Sequence, residues 1–259
     1  MRNVAMVVAY DGTEYHGWQI QPGLKTVEMV LKEAIEKVVD HKVTIVAAAR
    51  TDAGVHALGQ VVNFRTQTSI SPENILKGVN TYLPHDIRVI NCVDVETSFN
   101  ARRSAKSKTY IYVISNSPVI SPFFFRYSWH VPYELDVPFM DRLCVHLVGR
   151  KDFSAFKKKD EIYKKTEREI LRAKVKKRGQ FIYFLFEGTG FMRYMVRTMV
   201  GTLLLGGLRK ITEDDFIGII ESKDRDRAGP TAPAKGLFLK KITYDRYSLC
   251  GKNQILTKV

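Results

Sequence analysis

The residues best placed to do chemistry lie in Arg50-Thr51-Asp52-Ala53-Gly54-Val55-His56-Ala57, directly after the apolar run from Ile45 to Ala49. A carboxylate there leaves the end of a strand and enters a glycine-containing turn, where loops present functional groups. Asp52 therefore reads as a candidate catalytic carboxylate. The position equally suits a turn or capping Asp, which accepts hydrogen bonds from backbone N–H groups two residues on, and that is the commoner role. Arg50 lies two residues back on the same side of an extended chain. It either holds Asp52 ionised or forms an inert ion pair. His56 reads as structural.

A second constellation is Gly188-Thr189-Gly190-Phe191-Met192-Arg193-Tyr194-Met195-Val196-Arg197, a strand end, a glycine turn and a helix start. Arg193 and Arg197 share a helical face. They form either a snorkelling basic stripe or a cation reaching Asp52 or a phosphate. The two glycines suggest a phosphate loop, but neither Walker A nor G-x-G-x-x-G is complete, so a nucleotide cofactor is not expected. Tyr110 and Tyr112 share one face of a strand; such a pair packs a core by default, or opens onto a cleft where a ring stacks on a base. The loop Arg227 to Leu237, rich in Pro and Gly, suits a pocket wall. Lys157, Lys158, Lys159, Lys164 and Lys165, around Asp160 and Glu161, form either a solvated loop or a phosphate-contacting one.

Positioning these groups requires a scaffold, and its elements are legible in the spacing. The segment from Met1 to Tyr10 is apolar at successive positions, as in a strand buried on both faces. Thr26 caps an amphipathic helix containing Val27, Val30, Leu31, Ala34 and Val38. Strands follow over 42–49 and 60–65, a helix runs from Ser71-Pro72 through Tyr82, and a strand covers 87–95. The second half offers a strand at 108–115 and a helix at about 137–148. Strands at 169–176 and 180–187 flank a turn at Lys177-Arg178-Gly179, helices cover 191–205 and 212–221, and a last strand covers 237–244. The expected fold is α+β, with two similar halves, each a mostly antiparallel sheet with helices, and a catalytic cleft between them. Residues 1–104 form the half carrying Asp52, residues 105–245 complete the cleft, and residues 246–259 are a C-terminal tail.

With 259 residues, 45% hydrophobic and 26% charged, the chain has the composition of a globular protein, which excludes wholesale disorder and low-complexity classes. Lys and Arg number 41 against 27 Asp and Glu, a net charge of +14. Such an excess favours encounter with polyanions, so nucleic acid is the leading partner class and an anionic membrane surface the second. No apolar run reaches the about 18 residues that span a bilayer, and no cleavable signal pattern is present, so the expected location is cytoplasmic. Cys92, Cys144 and Cys250 are far apart and odd in number, encoding neither a disulfide framework nor a thiolate metal site.

Taken together, these segments resemble the TruA family of tRNA pseudouridine synthases, in order and over most of the chain. Further matching segments are Tyr10-Asp11-Gly12-Thr13-x-Tyr15-x-Gly17-Trp18-Gln19-x-Gln21, Phe99-x-Ala101-Arg102 and Gly149-x-x-Asp152-Phe153. The resemblance implies that Asp52 is the catalytic aspartate, that Tyr110 lies beside the target base, that Arg197 pairs with the aspartate and that Leu237 lines the pocket. It makes Arg50 a candidate for managing a flipped nucleotide. It implies isomerisation of uridine to pseudouridine on the 3′ side of the tRNA anticodon stem-loop, without cofactor or metal, by a homodimer with RNA lying across both subunits. Lys157, Lys158, Lys159, Lys164, Lys165 and Arg193 are the candidate phosphate contacts. Two positions depart from the family pattern: Ala49 replaces a usual Gly and Tyr194 a usual His. Competing readings are a noncatalytic RNA-binding module and an enzyme acting on an acidic small molecule.

Overall fold

The computed structural model describes residues 1–245; the expected tail over 246–259, with Cys250, lies outside the described residues. The described chain packs as two compact units, Met1–Lys108 together with the residues from Leu239 on, and Thr109–Phe238.

In the first unit β1 (Arg2–Tyr10) lies between β3 (His56–Thr66) and β4 (Ile87–Val95), antiparallel to both, with Val4 opposite Phe64 and Asp94. Val4, Ala5, Met6, Val7 and Val8 are all buried, as a strand covered on both faces requires. The residues of β10 (Leu237–Tyr244) from Leu239 on lie next to β3. Helices α1 (Val27–Val39) and α2 (Pro72–Tyr82) pack against each other. The first buries Val27, Leu31, Ala34 and Ile35; the second starts at Ser71, whose hydroxyl accepts from Asn74 N at 3.3 Å. Thr26 stands at the N-cap of α1 as expected, but its side chain makes no capping bond.

The strand expected over 42–49 shrinks to β2 (Val46–Ala47), paired with β3 at Asn63 and Val62. Its flanks are bonded elsewhere. Val43 N donates to the Glu36 carboxylate at 3.0 Å, and Ala49 N to the Gln60 side chain at 3.2 Å.

In the second unit the strand order is β5-β9-β8-β7, formed by β5 (Ala105–Ser115, here from Thr109), β9 (Phe181–Gly188), β8 (Glu167–Arg178) and β7 (Gly149–Asp152). The short β6 (Trp129–His130) runs parallel to β5. Pairing of Arg178 with Phe181 makes a two-residue hairpin loop of Gly179-Gln180, one residue beyond the expected turn, with Gly179 at φ +56. The helix expected over 137–148 is α3 (Val137–Leu143), tightened into a 3-10 turn over Cys144–Leu147, a common helix ending. The helix expected from 191 begins later, as α4 (Met195–Gly207), because Tyr194 is left-handed at φ +66. Helix α5 (Glu213–Ser222) opens on a reciprocal capping box between Thr212 and Asp215.

Both units thus combine mostly antiparallel strands with helices, the α+β class expected. Among the described residues no helix is long and apolar enough to cross a membrane. Cys92 and Cys144 are buried free thiols, pushed up to about 12 chiefly by burial.

Helix α4 also fixes the loop before β10. Gly201 packs face to face on Pro230, whose carbonyl would collide with any Cβ added at residue 201. Gly201→Ala should therefore lower stability by about 1–3 kcal/mol, as overpacking does, read as a fall in the urea midpoint at unchanged slope.

Candidate active site

The Asp52 turn is built from backbone bonds to its neighbours in the first unit. Trp18 N donates to Thr51 O at 3.0 Å, Gly54 N to Tyr15 O at 3.3 Å, and Val55 N closes the turn on Asp52 O at 3.1 Å. The Thr51 hydroxyl lies 2.8 Å from Tyr10 Oη, and both residues are buried. Burial raises the Tyr10 phenol well above its ordinary range, so it stays neutral and serves as a hydrogen-bonding post. Thr51 and Val55 are buried, whereas Asp52 is partly exposed and Arg50 fully at the surface. A partly exposed carboxylate between the buried anchors Thr51 and Val55 can meet a substrate while its backbone stays fixed.

Two further side chains hold this segment. Gln60 is wholly buried; its Nε2 donates to Ala49 O at 2.6 Å and its Oε1 accepts from Ala49 N at 3.2 Å. Lys108 donates from Nζ to Ala48 O at 2.7 Å. Burial, with Arg102 adding repulsion, pulls the Lys108 ammonium down to about 8. Neither residue emerged from the motifs, although a Gln inside the apolar run of β3 announces a buried polar group that must find partners. His56 is buried and structural: its Nδ1 accepts from Gly12 N at 3.1 Å. Asp11 Oδ1 is 3.0 Å from the same nitrogen and also accepts from Thr13 N at 2.9 Å.

In the second unit Tyr110 is buried on β5, its ring set edge-on to Phe191 at 5.1 Å and 81°. Arg197, in the first turn of α4 and half-buried, donates from Nε to Ala232 O at 2.7 Å, while Ala232 N donates to Arg197 O at 3.1 Å. The same loop receives the Tyr112 hydroxyl on Pro233 O at 2.8 Å and runs through Gly236 into buried Leu237. Burial raises the Tyr112 phenol, partly offset by the Arg197 charge. The loop read as a pocket wall is thus tied to both β5 and α4, next to the candidate arginine.

The lysine run divides. Lys159 is paired with Asp226 at 2.7 Å, Lys157 Nζ donates to Glu161 O at 2.6 Å, and Lys158 Nζ stands 5.9 Å from the Tyr194 ring centre, which Arg193 also approaches. Lys164 and Lys165 are exposed.

A model of the tRNA pseudouridine synthase family matches residues 6–102 and 143–245. The chain is 47% identical over 244 residues to the tRNA pseudouridine synthase A of Thermoanaerobacter pseudethanolicus, covering 94% of this chain and 100% of that one. It is 41% identical to the protein of the same name from Acetivibrio thermocellus, with the same 94% and 100% coverage. It is also similar to a chain in the crystal structure of a Cbf5-Nop10-Gar1 complex, at a TM-score of 0.33 and 11% identity, covering 77% of this chain and 54% of that one. The chain belongs to the TruA family of tRNA pseudouridine synthases, isomerases that act on tRNA.

Gly17 is the weak point of the Asp52 turn. It adopts φ +88, and a Cβ there would lie 2.8 Å from Thr51 O and 3.2 Å from the Asp52 carbonyl carbon. Gly17→Ala should displace Asp52 and cut the single-turnover rate by at least about tenfold, beyond the about 1 kcal/mol that a left-handed Ala costs. The comparison to make is rate against thermal midpoint in the same preparation.

Proposed function

We propose that this protein isomerises uridines on the 3′ side of the anticodon stem-loop of tRNAs, using Asp52 and no cofactor. The observation that carries the reading is the Asp52 turn: a partly exposed carboxylate on a backbone bonded to Trp18, Tyr15 and Gln60, with the Thr51 hydroxyl held on Tyr10. The reaction breaks the N1–C1′ bond, turns the uracil, and joins C5 to C1′; the proton leaves C5 and N1 ends protonated. No atom is gained and no electron is transferred overall. The uridine must leave its stack first, at a cost of a few kcal/mol. Ionised Asp52 then either attacks the sugar or takes a proton from it.

By family resemblance, Tyr110 lies against the base and assists removal of the C5 proton, Arg197 favours the charged form of the aspartate, Leu237 lines the base pocket and Arg50 handles the flipped nucleotide. Lys157, Lys158, Lys159, Lys164, Lys165 and Arg193 supply phosphate contacts, and the working form is a homodimer with tRNA across both subunits. The net charge of +14 supports a polyanionic substrate over a small acidic one.

Asp52→Asn, nearly isosteric but neither nucleophile nor base, should form no pseudouridine in single-turnover assays on unmodified tRNA transcripts while binding them as the wild type does. Turnover close to wild type would remove Asp52 from the chemistry, and modified sites mapped outside the anticodon arm would overturn the assigned position. A noncatalytic RNA-binding module would form no product in either protein.

Binding of the wild-type protein to tRNA should weaken steeply with salt. Each phosphate contact contributes about 0.7–0.9 to the slope of log affinity against log salt. A nearly flat line, with turnover of free nucleotides, would instead favour a small-molecule substrate.

A further inference from the structure

The second unit carries an aromatic and basic face that the proposed chemistry does not use. Along β8, Ala173 and Val175 are buried, while Lys174, Lys176 and Arg178 are exposed on the opposite face. Antiparallel pairing sets Lys176 opposite Tyr183 and Arg178 opposite Phe181, so cations and rings share that face of the hairpin. On β9, Ile182 and Phe184 are buried, whereas Phe181 and Tyr183 are half-buried, with ring centres 6.2 Å apart. The neighbouring cations are engaged: Lys174 lies 3.6 Å from the Asp141 carboxylate, and Lys177 donates to Asn116 Oδ1 at 3.0 Å. Lys176 and Arg178 make no hydrogen bond or ion pair among the described residues.

A turn from Ser121 to Tyr127 extends the same face. Phe124 N donates to Ser121 O and Tyr127 N to Phe124 O, both at 3.0 Å, and the hydroxyl of buried Ser128 donates to Phe124 O at 2.8 Å. Phe124 lies edge-on against Phe181, with 4.9 Å between ring centres at 82°. Phe123, beside it, is 82% exposed. A phenylalanine held in water by a bonded turn forgoes the stabilisation of burial, and contiguous exposed apolar groups mark interaction surfaces. The surrounding charge selects the partner. Neither residues 116–133 nor residues 174–186 include an Asp or Glu. Asp141, which reaches β8, is taken up by Lys174 and by Val175 N at 2.8 Å. A second copy docking through this face would set like charges against each other, whereas a polyanion complements it. Rings interleaved with cations suit unpaired nucleotides, whose bases stack on the rings while their phosphates meet the cations.

We propose that this face binds a single-stranded RNA segment, with unpaired bases stacked on Phe123 and Tyr183 and phosphates held by Lys176 and Arg178. The inference rests on the tRNA reading above and adds base-stacking residues to it, none of them among the catalytic candidates.

Binding of an unmodified tRNA transcript to the full chain, measured from low to high KCl, separates the two parts of the site. Phe123→Leu changes an exposed side chain on which folding does not depend. It should weaken binding by about five- to a hundredfold at every salt concentration with the slope unaltered, because a stacked base releases no counterions. Tyr183→Leu should act in the same sense, and Tyr183→Phe, which keeps the ring, should match the wild type. Lys176→Ala combined with Arg178→Ala should instead flatten the slope by about 1.4, two single-stranded contacts at about 0.7 each. A blunt RNA duplex, which offers no unpaired base, should bind the wild type and Phe123→Leu alike. A steep wild-type line with Phe123→Leu unchanged, or an unchanged slope in the double variant, would overturn this site alone, as would equal losses of duplex and tRNA binding. Conversion of a dimer to a monomer by Phe123→Leu in sedimentation velocity would assign the turn to a subunit contact and overturn the RNA site. A flat wild-type line would remove the tRNA reading and this site together.

Discussion

Between Ala48 and Val55 the backbone leaves strand pairing while still largely inside the protein, and its polar groups must be bonded there, because a buried unpaired one costs about 1–3 kcal/mol. The structure around Asp52 follows from that demand. Ala48 N is taken by Val61 O, Ala48 O by Lys108, both polar groups of Ala49 by Gln60, and Thr51 O by Trp18. The Gln60 carboxamide imitates a neighbouring strand for one residue, so the chain can turn without leaving an open edge. Lys108 is the less economical partner, since burial disfavours its charge and Arg102 adds to the strain. A charged donor to a carbonyl is stronger than a neutral one, and the carbonyl it holds is four residues from Asp52.

A similar demand shapes the second unit with other means. The loop from Ala228 to Leu237 has little secondary structure to share, so it borrows partners from what it covers. Gly229 N donates to Thr202 Oγ1 at 2.9 Å, Ala232 exchanges bonds with Arg197, and Pro233 O accepts from Tyr112. The small residues Gly201 and Gly229 let the loop lie directly on α4. Arg197 is thereby held at Nε, and its orientation is set by a loop that is itself set by the helix. Isomerisation depends on how the reacting groups are placed, and both units use buried polar bonds for placement.

Much of this was legible in the sequence. The apolar run of β1, the Ser71-Pro72 start of α2, and β4 and β10 stand at or within a residue of where spacing put them, because burial on both faces and N-terminal caps are local signals. The family resemblance, carried by contiguous motifs such as Arg-Thr-Asp-Ala-Gly-Val-His, was legible for the same reason. What was not legible is long-range. The strand over 42–49 failed because Glu36 and Gln60, seven and eleven residues from their backbone partners, outcompeted strand pairing. The start of α4 was placed early because an apolar, helix-periodic run does not reveal that Tyr194 turns left-handed. Lys108 and Gln60 passed unnoticed since their partners are backbone atoms, which no motif displays.

The lysine run carries the same lesson at the level of charge. Adjacent residues Lys158 and Lys159 look interchangeable in sequence, yet one faces an aromatic ring and the other a carboxylate. Ion pairs such as Arg2 with Asp94, Lys106 with Asp245 and Arg150 with Glu167 are largely exposed and contribute at most about 1 kcal/mol each to folding. Leaving other cations without an acidic partner therefore costs folding little. Arg50, Arg102 and Arg103 in the first unit and Lys158, Lys164 and Lys165 in the second make no ion pair among the described residues. An unpaired cation is worth far more to polyanion binding, where each phosphate neutralised releases counterions, than a pair would be to stability. The net charge of +14 is thus a surplus left by where the acids are.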